Sequence, residues 1–117
     1  MQQDLYSERE MLRRKLDQCI RMLRETGSDY AKADRAYNEA VAACWMRLRD
    51  KDMPIGMISK VYKGEKDVAE KRFAMIQAET MRDANKEAVM SYKLQLRLVE
   101  DQIQREFSSP TLGTGSL

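Results

Sequence analysis

Apolar and small residues recur in alternating steps of four and three along the first part of the chain, and this spacing constrains the fold more than any other feature. The series keeps this alternation from Leu12 to Cys44 and closes at Leu48, with charged residues at many of the positions between its members. Such a repeat draws one apolar stripe along one side of an α-helix and is typical of helices that pack against another helix. The series is Leu12, Leu16, Cys19, Leu23, Thr26, Tyr30, Ala33, Tyr37, Ala40, Cys44 and Leu48.

The stripe predicts one long amphipathic helix, from about residue 4 to about residue 51. Gly27 followed by Ser28 could instead be a C-terminal cap followed by an N-cap, which would divide this segment into two helices. The stripe keeps its phase across the pair, whereas a loop usually resets it. We therefore favour one continuous helix with Gly27 as a weak point, and the divided helix is the alternative.

The segment from 52 to 64 interrupts the helical pattern and predicts a connector. Pro54 cannot continue a helix interior, and Gly56 and Gly64 bracket a short apolar stretch. The apolar residues of this stretch have the spacing of one helical face, so we expect a brief connector helix that ends at Gly64. It would fold over the end of the long helices.

A second long helix is predicted from about residue 65 to about residue 107, because acidic residues in a first turn complement the helix dipole. Those residues are Glu65 and Asp67, and Asn85 interrupts the apolar stripe that follows. The segment from 108 to 117 contains Pro110 and two glycines and has little apolar content. It is predicted to be a disordered C-terminal tail.

Together these elements predict an all-α protein, a long antiparallel helical hairpin resembling a coiled coil, with a short connector helix and a single domain over residues 1–107. One pair of helices shields only one stripe from water. We therefore expect the hairpins to self-associate into a homo-oligomer. The residues predicted to form the oligomer seam are Leu12, Leu16, Leu23, Tyr37, Leu96 and Val99.

Charge and composition exclude several classes of protein. The 21 Lys and Arg nearly balance the 19 Asp and Glu, so any binding to nucleic acid or an anionic membrane must be local. Histidine is absent and only two cysteines are present, which removes histidine-based catalysis and leaves too few soft ligands for a structural metal. No apolar run approaches the roughly 18 residues of a membrane span. We expect a cytoplasmic protein that is not an enzyme, has reduced thiols and uses no metal or cofactor.

Cations cluster around one aromatic residue near the connector, a combination that suits phosphates and a stacked base. Glu65, Asp67 and Glu70 lie between those cations, and ion pairing along a solvated helix start is the alternative explanation. The candidate residues for binding nucleic acid or a partner are Lys60, Tyr62, Lys63, Lys66 and Arg72.

Two stretches, PIGMISKVYKGEKDVAEKRF and SYKLQLRLVEDQIQREF, resemble a family of small, functionally uncharacterised helical proteins from phages and prophages of Gram-positive bacteria. The matching features are the apolar connector at 54–59, the helix start at 64–66 and the final segment at 94–107. Members tend to be encoded near phage replication and recombination genes, so the resemblance implies that setting. A fainter likeness, around KDVAEKRF, is to the UvsY-type recombination mediators of T-even phages, which are small helical oligomers.

The resemblance and the expected architecture lead to one main hypothesis. The protein would be a non-enzymatic accessory of phage DNA replication or recombination in the cytoplasm of the bacterial host, an oligomer of hairpins that binds a partner protein and single-stranded DNA. One alternative is a phage-encoded inhibitor that sequesters a host defence or regulatory protein through exposed methionine and aromatic side chains. A second alternative is a purely structural coiled-coil protein without a ligand.

Overall fold

The computed structural model describes the backbone of residues 2–115 and the side chains of residues 4–108. Over this range the chain forms three α-helices and no strand: α1 is Gln2–Asp50, α2 is Ile55–Val61 and α3 is Lys66–Gly115. A short 3₁₀ helix, Tyr62–Gly64, joins α2 to α3. The all-α class and the order of long helix, short connector helix and long helix are therefore confirmed.

Helix α1 passes through Gly27 without a break, so the divided-helix alternative is wrong. A Cβ atom added at Gly27 would meet nothing within 4 Å. The glycine therefore serves no close packing contact. Once a helix is nucleated on both sides, each further residue adds one hydrogen bond, and this gain offsets the roughly 1 kcal/mol that glycine costs relative to alanine.

The C-terminus of α1 is closed by a Schellman motif that has aspartate where glycine is usual. Asp52 has a φ of 63°. Its amide donates to the Arg49 carbonyl at 2.9 Å, and the Met53 amide donates to the Leu48 carbonyl at 3.1 Å. These two bonds satisfy carbonyls that a helix end leaves unpaired. Pro54 follows immediately and opens α2, so the chain turns sharply at this point.

The chain divides into two compact units. Unit 1 comprises Met1–Leu23 and Ala84–Leu117, and unit 2 is Arg24–Asp83.

Unit 1 pairs the start of α1 with the later part of α3. Arg13 Nη2 donates to Glu100 Oε1 at 3.3 Å. Arg13 lies near the beginning of α1 and Glu100 near the end of α3, which fits the antiparallel hairpin that was predicted. Asn85 is a buried polar residue in this unit. The buried apolar residues of the unit are Leu5, Leu12, Val89 and Val99.

Unit 2 contains the later part of α1, the connector and the beginning of α3, and one apolar cluster holds them together. Cys44 and Leu48 from α1, Ile58 from α2 and Val68 from α3 form its buried centre. Complete burial of a side chain such as Ile58 contributes about 1.5–3 kcal/mol, so this one residue anchors the short helix α2. The half-buried residues packed around the centre are Tyr37, Val41, Trp45, Met53 and Tyr62.

Helix α3 extends to Gly115, beyond the helix end predicted near residue 107, and it includes residues 108–115 of the predicted tail. Residues 116 and 117 of that predicted tail lie outside the described residues.

Candidate nucleic-acid interface at the connector

Arg47 of α1 binds the two carboxylates that flank the start of α3. Its Nη2 donates to Glu65 Oε1 at 3.1 Å, and its Nη1 donates to Asp67 Oδ2 at 3.3 Å. Glu65 is the residue that precedes α3, and Asp67 lies in the first turn of that helix. Negative charge at this end of a helix interacts favourably with the helix dipole. We call Arg47, Glu65 and Asp67 the arginine clamp.

The arginine clamp changes the acidity of its members. The hydrogen bond from the Arg47 guanidinium holds the pKa of Asp67 below its ordinary value, and the two carboxylates raise the pKa of Arg47, Asp67 the more strongly. Arg47 Nη2 also lies 3.7 Å from the Sγ atom of Cys44. Burial raises the pKa of the Cys44 thiol, so this cysteine stays protonated and behaves as an apolar core residue.

Because the clamp engages two of the three nearby carboxylates, neither of them forms an ion pair with the neighbouring cations in the described range. Within the side chains that the structure describes, Lys60, Lys66 and Arg72 are exposed and form no ion pair. The third carboxylate, Glu70, lies four residues after Lys66, yet no ion pair joins them in this part of the chain. The alternative explanation was that the cations form ion pairs with Glu65, Asp67 and Glu70 along the helix start. Among the described residues, Lys60, Lys66 and Arg72 form no such pairs.

Tyr62, the aromatic residue predicted to stack a base, belongs to the core of unit 2. Its ring centroid lies 5.8 Å from that of Trp45, with the planes tilted by 53°. Lys63 Nζ lies 6.0 Å from the centroid of the same ring. The Tyr62 ring thus contacts both Trp45 and Lys63, and only part of this ring is open to a ligand.

Phe73, near the start of α3, is an exposed aromatic residue. Its side chain is 64% exposed. At 100° per residue, Lys66 and Phe73 lie about 20° apart on the side of α3 away from the buried Val68, whereas Arg72 lies about 100° from Phe73 and about 40° from Val68. The missed signal was the combination of a charged residue and a phenylalanine on the face opposite to the apolar stripe.

An open groove of about 640 Å³ begins at Phe73 and continues along α3. Ile76 and Met81 form its apolar wall, and Asp29 is the only carboxylate on its lining. The remaining lining residues are small or polar: Thr26, Ala74, Gln77, Ala78 and Thr80.

The predicted seam residues are placed inside the hairpin. Leu12 and Val99 are buried in unit 1, so they stabilise the hairpin's own core and are closed to a second copy of the chain. Tyr37 packs against the cluster of unit 2. Leu16, Leu23 and Leu96 are half-buried. A different set of apolar residues of α3 is exposed in unit 1, namely Met90, Leu94 and Leu98.

A comparison of the chain with protein-family models, with curated proteins and with solved structures finds no match. None of the helices in the described range has an apolar stretch that would span a bilayer. Among the described residues, no three His, Cys, Asp or Glu side chains converge as ligands for a metal ion. The connector and the start of α3 thus present the exposed cations Lys60, Lys66 and Arg72 and the exposed ring of Phe73.

Proposed function

We propose that the protein is a non-enzymatic accessory of phage DNA replication or recombination that binds single-stranded DNA in the cytoplasm of the host. The binding surface consists of Lys60, Lys63, Lys66 and Arg72. One observation supports it above others: the arginine clamp occupies Glu65 and Asp67, so the neighbouring cations remain available to phosphates. The phage setting comes from the family resemblance.

Local charge fits this ligand better than the charge of the whole chain does. The formal net charge is only +2, so long-range attraction to DNA is weak and contact must come from the local set of cations. For a single strand, the logarithm of the binding constant should fall with the logarithm of salt concentration by about 0.7 for each phosphate contacted. Four cations therefore predict moderate, strongly salt-dependent binding.

The test is fluorescence anisotropy with a labelled oligothymidine at several salt concentrations. The double variant Lys63→Glu, Lys66→Glu should lose most of the binding, while its circular dichroism stays helical. The matched control is Lys86→Glu, Lys93→Glu, which makes the same change in charge at two exposed lysines of unit 1. This control should retain most of the affinity.

Two results would contradict the proposal. Equal loss of binding in both double variants would mean that the contact is unspecific and lies outside the connector. Absence of binding by the unmodified chain at low salt would remove nucleic acid from its function.

A second candidate function is supported by the groove beside Phe73. Ile76 and Met81 are exposed apolar residues of that groove, and a phage-encoded inhibitor could hold a helix of a host protein there. A pull-down from host lysate that recovers one host protein in equal stoichiometry, abolished by Met81→Glu, would favour this function. Binding to neither DNA nor a host protein would leave a purely structural coiled coil.

A further inference from the structure

We propose that Phe73 is the residue that stacks on a base of single-stranded DNA, with Lys66 and Arg72 binding the phosphates beside that base. This inference rests on the proposed single-strand binding. It assigns to Phe73 the role that the sequence suggested for Tyr62, whose ring packs on Trp45.

The helix geometry of α3 brings the required groups together. Residues three and four apart on a helix are surface neighbours, with Cβ atoms about 5–6 Å apart. Phe73 follows Ala69 by four residues and Ala69 follows Lys66 by three, so Lys66 and Phe73 share one side of the helix, with their Cα atoms about 10 Å apart along its axis. Arg72 precedes Phe73 directly and is also exposed.

Most of the Phe73 side chain is open to solvent. Among its neighbours three and four residues away on α3, Ala69 is small, whereas Glu70, Ile76 and Gln77 are larger side chains that are themselves exposed. A phenylalanine that is 64% exposed lacks most of the burial that ordinarily places this residue in a core. A planar base could cover it, with its edge directed into the groove that begins there.

Charge favours DNA over an apolar protein segment as the occupant. A partner helix seated on Phe73 would bring its backbone and side chains against Lys66 and Arg72, whose charges have no ion-pair partner in the described part of the chain. A nucleotide supplies both an anion for the cations and a flat surface for the ring, since its phosphate neutralises a cation and its base stacks on Phe73.

The experiment compares Phe73→Leu with Phe107→Leu. These are the two phenylalanines of the chain, and both are exposed, Phe107 at 69%. Phe73→Leu should weaken oligothymidine binding by between about fivefold and about a hundredfold, the range found when one stacking contact is removed. The salt dependence should stay unchanged because the cations remain. Phe107→Leu should bind like the unmodified chain.

Two further probes separate stacking from a general structural role. Phe73→Trp should retain binding, and its added indole fluorescence should be quenched by oligothymidine, whereas the emission of Trp45 in the unmodified chain should change little. An abasic oligonucleotide offers phosphates without bases. It should therefore bind equally to the unmodified chain and to Phe73→Leu.

The outcomes distinguish this inference from the function on which it rests. If the unmodified chain binds oligothymidine and Phe73→Leu binds equally well, Phe73 is not a stacking residue and single-strand binding stands. If Phe73→Trp binds without quenching, stacking is likewise excluded. If the unmodified chain binds neither oligonucleotide, both proposals fall.

Discussion

At the scale of single residues, Asp52 occupies the backbone position that most restricts the choice of side chain. Its φ of 63° lies in the left-handed region, where a Cβ atom approaches the following carbonyl oxygen. Aspartate tolerates this region better than most residues do, yet glycine adopts it without steric cost. The residue therefore closes α1 in a conformation that a glycine would hold more easily.

Asp52→Gly should raise the free energy of unfolding by about 1 kcal/mol, which for a chain of this size corresponds to about 4 °C in Tm. Asp52→Val should lower Tm, because a β-branched side chain is strained at positive φ. Thermal unfolding followed by circular dichroism measures both. Asp50→Gly is the control, since Asp50 is the last residue of α1 and gains nothing from glycine. A stabilised Asp50→Gly, or an unchanged Asp52→Gly, would contradict this account of the cap.

At the scale of elements, the arginine clamp connects the end of α1 with the start of α3. Arg47 and its two partners are all substantially solvent-exposed, so salt screens their attraction and the gain in stability is small. The larger effect concerns the binding surface. Removing Arg47 would release two carboxylates beside Lys63 and Lys66.

Arg47→Ala should therefore weaken oligothymidine binding although Arg47 is not among the proposed DNA contacts. Arg49→Ala removes an equal charge from an exposed position of the same helix end, and it should weaken binding less. Anisotropy titrations of the two variants give the comparison. Equal affinities in the two variants would show that the clamp does not govern the charge of the surface.

The clamp also predicts a dependence of stability on pH. Because Arg47 lowers the pKa of folded Asp67, this carboxylate contributes stability above its unfolded pKa of about 3.9. The contribution is lost as pH falls through the lower pKa of the folded state. Acid unfolding should thus begin at a higher pH in Arg47→Ala than in the unmodified chain.

The elements were predictable from sequence where one periodic signal governed many residues. The stripe from Leu12 to Leu48 predicted α1, and Pro54 predicted its end. The site was less predictable, because it depends on which side chains near the start of α3 are contacted by Arg47 of α1. Local sequence could not show that Glu65 and Asp67 form ion pairs with Arg47 of α1. It also could not show that the Tyr62 ring packs against Trp45.

At the scale of the whole molecule, we propose that the hairpins associate through the exposed stripe of α3. Met90, Leu94 and Leu98 follow one another at four-residue intervals and therefore lie on one side of the helix. All three are more than half exposed. The two helices of unit 1 bury the opposite stripe against each other, so this face is left for a second copy of the chain.

Leu94→Glu should lower the molar mass measured by light scattering after size exclusion, because it places a charge in the middle of the contact. Lys93→Glu is the control at the adjacent exposed position and should leave the mass unchanged. Retention of the oligomer by Leu94→Glu would place the interface elsewhere. A monomeric unmodified chain would overturn self-association altogether.

Cys44 makes the connector chemically observable. Its side chain is completely enclosed by the cluster that holds α2 against the long helices, whereas Cys19 is partly accessible. A thiol-specific alkylating reagent can reach Cys44 only during moments when that cluster opens, so the ratio of its labelling rate to that of the unfolded chain reports the free energy of local opening. The labelling rate of Cys44 Sγ therefore reports how often α2 separates from the long helices. A ligand bound over the connector would lower that rate.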